Sequence, residues 1–148
     1  ATLVMDIWLM FLKRIRVQTL NFSFIGRWVG HFFHGRIAHA SIGKASPITN
    51  ETSLGWITHY AVGIAFAFLL TSIAGVAWAR APSLGIALLV GVCTVAFPLL
   101  VMQPAMGLGV VASKTPTPIK SCIRSVINHS VFGLGLFLSA CAIEWISR

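Results

Sequence analysis

Three stretches of the chain are apolar for long enough to cross a bilayer, and strongly polar residues fall almost entirely between them. The cleanest runs from Trp56 to Trp78, with His59 as its only strongly polar side chain. As a helix it reaches roughly 34 Å, enough for a hydrocarbon core of about 30 Å, with a tryptophan at each interface. A second run starts at Leu84, after Arg80-Ala81-Pro82-Ser83, and stays apolar to Met102. Pro98 and the following Gln103-Pro104 predict a bend, because each proline removes a helix hydrogen bond. The third begins after Arg124 and ends near Trp145. Expected spans are therefore 54–78, 84–102 with a bent extension, and 124–146.

The N-terminus is shorter. Ala1 to Leu12 is apolar apart from Asp6 and is closed by Lys13-Arg14-Ile15-Arg16. Twelve residues give roughly 18 Å, too little to span. The reading adopted is that a full first transmembrane helix ends here and that residues ahead of Ala1 are missing. A cleaved signal peptide is the other reading, and it would leave half a helix stranded. The expected fold is an all-α integral membrane protein of four transmembrane helices, the first truncated at its N-terminus, in a single polytopic domain over 1–148.

The loop after the first helix carries its own pattern. Beyond Asn21, the expected cap, helical spacing sets Phe24, Ile25, Trp28, Val29 and Phe32 on one side and Ser23, Arg27, His31 and His34 on the other. This predicts a short amphipathic helix lying on the inner leaflet, weakened by Gly26, Gly30 and Gly35. Lys44 to Thr52 reads as loop, and Met106 to Pro118 as an extended connector. Small residues pair as helix contacts: Gly63 with Ala67, Gly85 with Gly91, and Gly133 with Gly135 and Ala140.

Composition agrees with the pattern. Of the 148 residues, 57% are hydrophobic and 9% charged, against about 25% charged in an ordinary soluble domain. Soluble enzymes, DNA-binding proteins and secreted disulfide scaffolds are excluded. The net charge of +8 has a local origin. Lys13, Arg14, Arg16, Arg27, Arg36 and Lys44 lie between the first two spans, and Lys114, Lys120 and Arg124 between the last two. Only Arg80 and Arg148 remain for the other side. The positive-inside rule places the two basic loops in the cytoplasm and both termini on the periplasmic side. Anionic lipid is then partner enough for the charge, and no nucleic acid is needed. Cys93, Cys122 and Cys141 read as free, buried thiols.

Several stretches carry a resemblance: Ala1-Thr2-Leu3-Val4-Met5-Asp6-Ile7-Trp8, Gly26-Arg27-Trp28-Val29-Gly30-His31, Gly55-Trp56-Ile57-Thr58-His59-Tyr60, Met102-Gln103-Pro104-Ala105-Met106-Gly107, Lys114-Thr115-Pro116-Thr117-Pro118 and His129-Ser130-Val131-Phe132-Gly133. Together they resemble a family of small bacterial inner-membrane proteins known only as domain of unknown function 2938, over essentially the whole chain. The resemblance implies a four-helix inner-membrane protein in which the Met-Asp pair ends a longer first helix. It implies no activity, substrate or cofactor.

Ionisable groups inside a bilayer are expensive, so Asp6, His59 and His129 stand out. Asp6 lies roughly 10 Å, and the two histidines each roughly 7–8 Å, from the cytoplasmic ends of their helices. All three share one layer, and Gln103 on the bent helix is within reach of it. As a hydrogen-bonded knot these groups would lock the bundle, each contact contributing about 0.6–2 kcal/mol. As a site they would form a proton relay, a cation or small-ligand pocket or, least favoured, a metal centre. His31, His34 and His39 raise a second metal reading, which ordinary polar-face histidines outweigh. Arg27, beside Trp28, could contact an anion or lipid headgroup, although solvated snorkelling is favoured.

No nucleophile with its base, phosphate loop or acid–base carboxylate pair is recognisable, so an enzyme ranks last and no cofactor can be named. The leading readings are a membrane binding or transport module with an intramembrane polar site, and an accessory or scaffold subunit of a larger membrane complex. Four helices make a thin wall, so the first needs a homo-oligomer or a very small solute. The threading is testable in intact cells. A cysteine introduced near Arg36 should be shielded from an impermeant thiol reagent, and one near Ser83 should be labelled. Labelling at Arg36 alone would reverse the orientation.

Overall fold

The computed structural model describes residues 1–17, 19 and 21–147, and among them no strand forms. Helix α1 (Thr2–Arg14) ends on the basic pair Lys13 and Arg14. Helix α2 (Phe22–Phe33) begins where the sequence places it: the Asn21 side chain accepts from the Ser23 backbone N–H at 3.0 Å. Helix α3 (Glu51–Arg80) follows a single 3₁₀ turn at Ile42–Lys44. Helix α4 (Leu84–Cys93) gives way to a π turn at Pro98–Met102 and the single turn α5 (Gln103–Ala105). Helix α6 (Pro118–Ile146) closes the chain, with proline in its first turn, where the missing N–H costs nothing.

Glu51–Arg80, Leu84–Ala105 and Pro118–Ile146 are long and apolar enough to cross a membrane. Ile64, Phe68, Ile73, Leu89 and Ile143 are all exposed, as a lipid-facing surface requires. Helix α1, at 13 residues, reaches about 20 Å. Cys93 is exposed and Cys122 and Cys141 are half-buried, so the cysteines are free but not the buried thiols expected. Cys93 instead lies on an outward face of its apolar helix. Arg148, counted in the charge balance, lies outside the described residues.

The chain divides into two compact units. Unit one comprises residues 1–19, 63–95 and 126–148. Its core joins Leu70, Trp78, Ala87, Val90, Phe132 and Leu136. Helices α4 and α6 meet backbone to backbone, since a Cβ on Gly91 would stand 2.6 Å from the Gly133 Cα. Gly91 thus serves as a contact surface toward Gly133, whereas Gly85, expected beside it on the same helix as a further contact, has nothing within 4 Å. The expected uninterrupted span to Trp78 is also corrected. Gly75 breaks α3 with φ 75° and ψ 171°. Trp78 lies in the core, its indole N–H donating to the Ser83 carbonyl at 3.3 Å. A left-handed residue changes the helical phase, so the face predicted by uniform periodicity does not continue past it.

Unit two comprises residues 20–62 and 96–125, around Ile25, Ile42, Met102 and Met106. Here α2 crosses the start of α3 at Gly26 and Gly55. A Cβ on Gly26 would fall on the Glu51 carbonyl, and one on Gly55 on the Phe22 carbonyl. The buried residues of α2 are Ile25, Gly26, Arg27 and Gly30, whereas Phe32 is exposed. Gly26 and Gly30, expected to weaken the helix, are thus part of its contact surface, whereas Gly35 lies beyond its end in open space. The Lys44–Thr52 loop is shorter than expected, being trimmed by the 3₁₀ turn and by α3 starting at Glu51. Residues 39–42 are fastened to the end of the broken span: His39 N–H donates to the Ala105 carbonyl at 2.8 Å and Ile42 N–H to that of Met106 at 2.9 Å. Gly107, with φ +87°, lets its backbone lie against Ala40 and His39.

Gly26→Ala should cost at least about 3 kcal/mol, the upper range for forced overpacking. Gly85→Ala, with open space around it, should be neutral or stabilise by up to about 1 kcal/mol. Thermal melts in detergent compare them. A tolerated Gly26→Ala would contradict the close crossing.

Candidate functional site

The closeness of α2 and α3 brings Arg27 onto Glu51. The guanidinium donates from Nε to Oε2 and from Nη2 to Oε1, both at 2.8 Å. Its Nη1 donates to the carbonyls of Ala45 at 3.1 Å and Ile42 at 3.3 Å. Glu51 also receives the Ile48 N–H at 3.3 Å, and the Phe24 ring lies 5.3 Å from the guanidinium carbon. Hydrogen bonding to Glu51 holds the Arg27 pKa above its ordinary value, against the opposing effect of burial. Arg27 was expected on a solvated face, in reach of an anion or headgroup. It is buried, its four hydrogen bonds go to protein acceptors, and a carboxylate occupies the bidentate position.

Three histidines of the same unit sort themselves by donor and acceptor. His31 Nε2 is 3.0 Å from the Ser46 carbonyl, which can only accept, so Nε2 carries the hydrogen. Neutral His31 then accepts at Nδ1, and His39 Nε2–H is its donor at 2.9 Å. This leaves His39 Nδ1 as an acceptor, buried and without a hydrogen-bond partner. Burial lowers the His39 pKa, and the charges of His31 and Arg36 add to the effect, while the Ala105 carbonyl opposes it. His34 turns away to donate from Nδ1 to the Gly30 carbonyl at 2.9 Å. Among the described residues, no three His, Cys, Asp or Glu side chains gather to hold a metal.

The four residues read as one polar layer are distributed over both units. Asp6 and His129 belong to unit one, His59 and Gln103 to unit two. Asp6 is buried on α1. The His129 ring lies 2.8 Å from the Thr94 hydroxyl, which spends its own hydrogen on the Gly91 carbonyl at 2.5 Å. Thr94 therefore accepts, and His129 donates from Nδ1. One residue earlier, Asn128 accepts from the Trp8 indole at 2.9 Å. Neither Thr94 nor Asn128 was picked out by a search for ionisable groups, although a polar residue beside His129 on the same helix was there to see.

In unit two, His59 sits among rings, with centroids 4.9 Å from Phe22, 5.6 Å from Tyr60 and 5.9 Å from Trp56. Gln103 follows the π turn, its backbone N–H reaching the Pro98 carbonyl. Its side chain is buried, and Oε1 has no hydrogen-bond partner. Gln103 Oε1 and His39 Nδ1 are thus two buried polar atoms without a hydrogen-bond partner, on segments joined directly by the His39–Ala105 backbone hydrogen bond.

The family model described as Protein of unknown function (DUF2938) matches residues 1–143. The chain belongs to this family. No curated protein and no solved structure matches it. DUF2938 membership brings no substrate or activity.

In this DUF2938 protein the Arg27–Glu51 pair, with side chains 10% and 18% exposed, is shielded enough for a double-substitution cycle. Arg27→Met or Glu51→Met alone leaves a buried charge unpaired and should cost about 3 kcal/mol. The double substitution should recover most of that loss in a thermal melt. Additive losses would show that the two side chains are independent.

Proposed function

We propose that this DUF2938 protein is a small multi-pass protein of the bacterial inner membrane that binds a small ligand at the break of its second long apolar segment. In this reading α1 is the fourth membrane element, the nine basic loop residues face the cytoplasm, and both termini are periplasmic. The α2 helix lies along the inner leaflet, with exposed Phe32 and Phe33 toward lipid. The observation that carries the reading is Gln103. It follows a helix interrupted by Pro98 and a π turn, and it buries an acceptor with no donor. An unsatisfied buried polar group costs about 1–3 kcal/mol, a cost that binding would offset. Interrupted membrane helices are also the device by which transporters expose polar groups to solutes at depth.

Unit one supports a different role. Trp8 with Asn128, and His129 with Thr94, are direct side-chain contacts of the kind that fasten helices. A scaffold or accessory subunit would need only these. The two roles are compatible, with unit one as the fastening and unit two as the site, and His59 belongs to the latter.

Gln103→Met preserves length and removes the acceptor. Native mass spectrometry of the protein extracted gently from its membrane should show a small-molecule adduct in the wild type and none in Gln103→Met. The variant should also melt higher than unliganded wild type, by the equivalent of about 1 kcal/mol or more, because the unsatisfied group is gone. An adduct retained in the variant, or an unliganded wild type that melts higher than the variant, would count against the site.

A further inference from the structure

The hydrogen positions forced on His31 and His39 have a consequence independent of any ligand. Ser46 offers only a carbonyl to His31 Nε2, so that nitrogen keeps its hydrogen in every state of the pair. When both rings are neutral, the hydrogen between them belongs to His39 Nε2, and His39 Nδ1 is bare. Add one proton and keep the hydrogen bond. If His31 carries the charge, its Nδ1–H donates to His39 Nε2, and neutral His39 must hold its hydrogen at Nδ1. If His39 carries the charge, both of its nitrogens hold hydrogens. Either way the new N–H appears at His39 Nδ1.

We propose that the His31–His39 pair is a one-proton switch that turns the buried Nδ1 of His39 from a hydrogen-bond acceptor into a donor. The balance is simple: one proton enters from solvent, no covalent bond between heavy atoms changes, and the proton between the rings stays in their shared hydrogen bond. His39 is 6% exposed, so the switched atom acts on protein or on a bound group rather than on bulk water. The Ala105 carbonyl, at the end of the Gln103 turn, is the acceptor available to the new N–H. It already takes the His39 backbone N–H at 2.8 Å, so the switched ring sits on a residue tied to the broken segment.

The charged groups facing the pair set where it responds. Arg36 acts from the loop that bears His39, and His31 acts from α2. Glu51, tied to Arg27, faces His31 from α3. Burial, His31 and Arg36 all disfavour charge on His39, so its own pKa lies below the ordinary imidazole value of about 6.5. The sign for stability follows. Unfolded His39 binds its proton first as pH falls, so the stability contributed by the neutral ring is present above about 6.5 and declines below it.

Nitrogen-15 NMR of the imidazoles, on the full chain in lipid nanodiscs, reads each nitrogen separately. At neutral pH, His31 Nε2 and His39 Nε2 should be protonated and His39 Nδ1 bare. On acidification, His39 Nδ1 should become N–H at the first proton, while His31 Nε2 stays N–H throughout. His31→Asn, whose side-chain oxygen can stand in for Nδ1 as acceptor, should keep His39 Nδ1 bare at neutral pH. His31→Leu should move the hydrogen to Nδ1, toward Ala105. A first proton that leaves His39 Nδ1 bare would overturn the switch. So would a His39 tautomer indifferent to His31→Leu. Should either variant fail to fold, the wild-type titration decides alone.

Discussion

Everything in unit two depends on how closely α2 can approach α3. Two glycines, Gly26 and Gly55, remove the side chains that would hold the backbones apart, and each stands against a carbonyl of the other helix. That separation suits the reach of Arg27 to Glu51, and the guanidinium then spans from the carboxylate to the carbonyls of Ile42 and Ala45. A buried charge pair is expensive to assemble and contributes little net stability when complete. Its value here is positional. It fixes the turn after α2, so that His31 meets His39 and residues 39–42 meet 105–107.

Unit one solves a similar problem with uncharged groups. Gly91 and Gly133 bring α4 and α6 together, and the contact is flanked by the Thr94–His129 hydrogen bond. Trp8 and Asn128 tie α1 to α6. The named contacts in this unit are complete pairs, whereas unit two leaves Gln103 Oε1 and His39 Nδ1 without hydrogen-bond partners. That contrast is the reason for placing fastening in one unit and binding in the other.

The three long apolar helices, the Asn21 cap and the family were legible in the sequence, because each rests on a local signal: a hydrophobic run, a capping residue, a set of short motifs. The partners of the polar residues were not. Arg27 and Glu51 are 24 positions apart, and helical periodicity assigns a residue to a face without saying what lies opposite. Glycine is ambiguous for a physical reason: the missing Cβ that lowers helix propensity is the same feature that permits close crossing. Gly26 was therefore read as a weakness. Gly85 was read as a contact and is open. Thr94 and Asn128 were passed over because uncharged polar groups cost little enough at membrane depth to look unremarked in an apolar run. The bend at Pro98 was foreseeable, but the buried, unpartnered Gln103 behind it was not.

The proposed role of Gln103 Oε1 is to accept from a group outside the chain. A high-resolution map of the protein in lipid at neutral pH tests it most directly. The account predicts non-protein density of ligand size, with a donor atom about 2.7–3.2 Å from Gln103 Oε1. Gln103 Oε1 accepting instead from an N–H or O–H of the protein itself, with no such density, would contradict it.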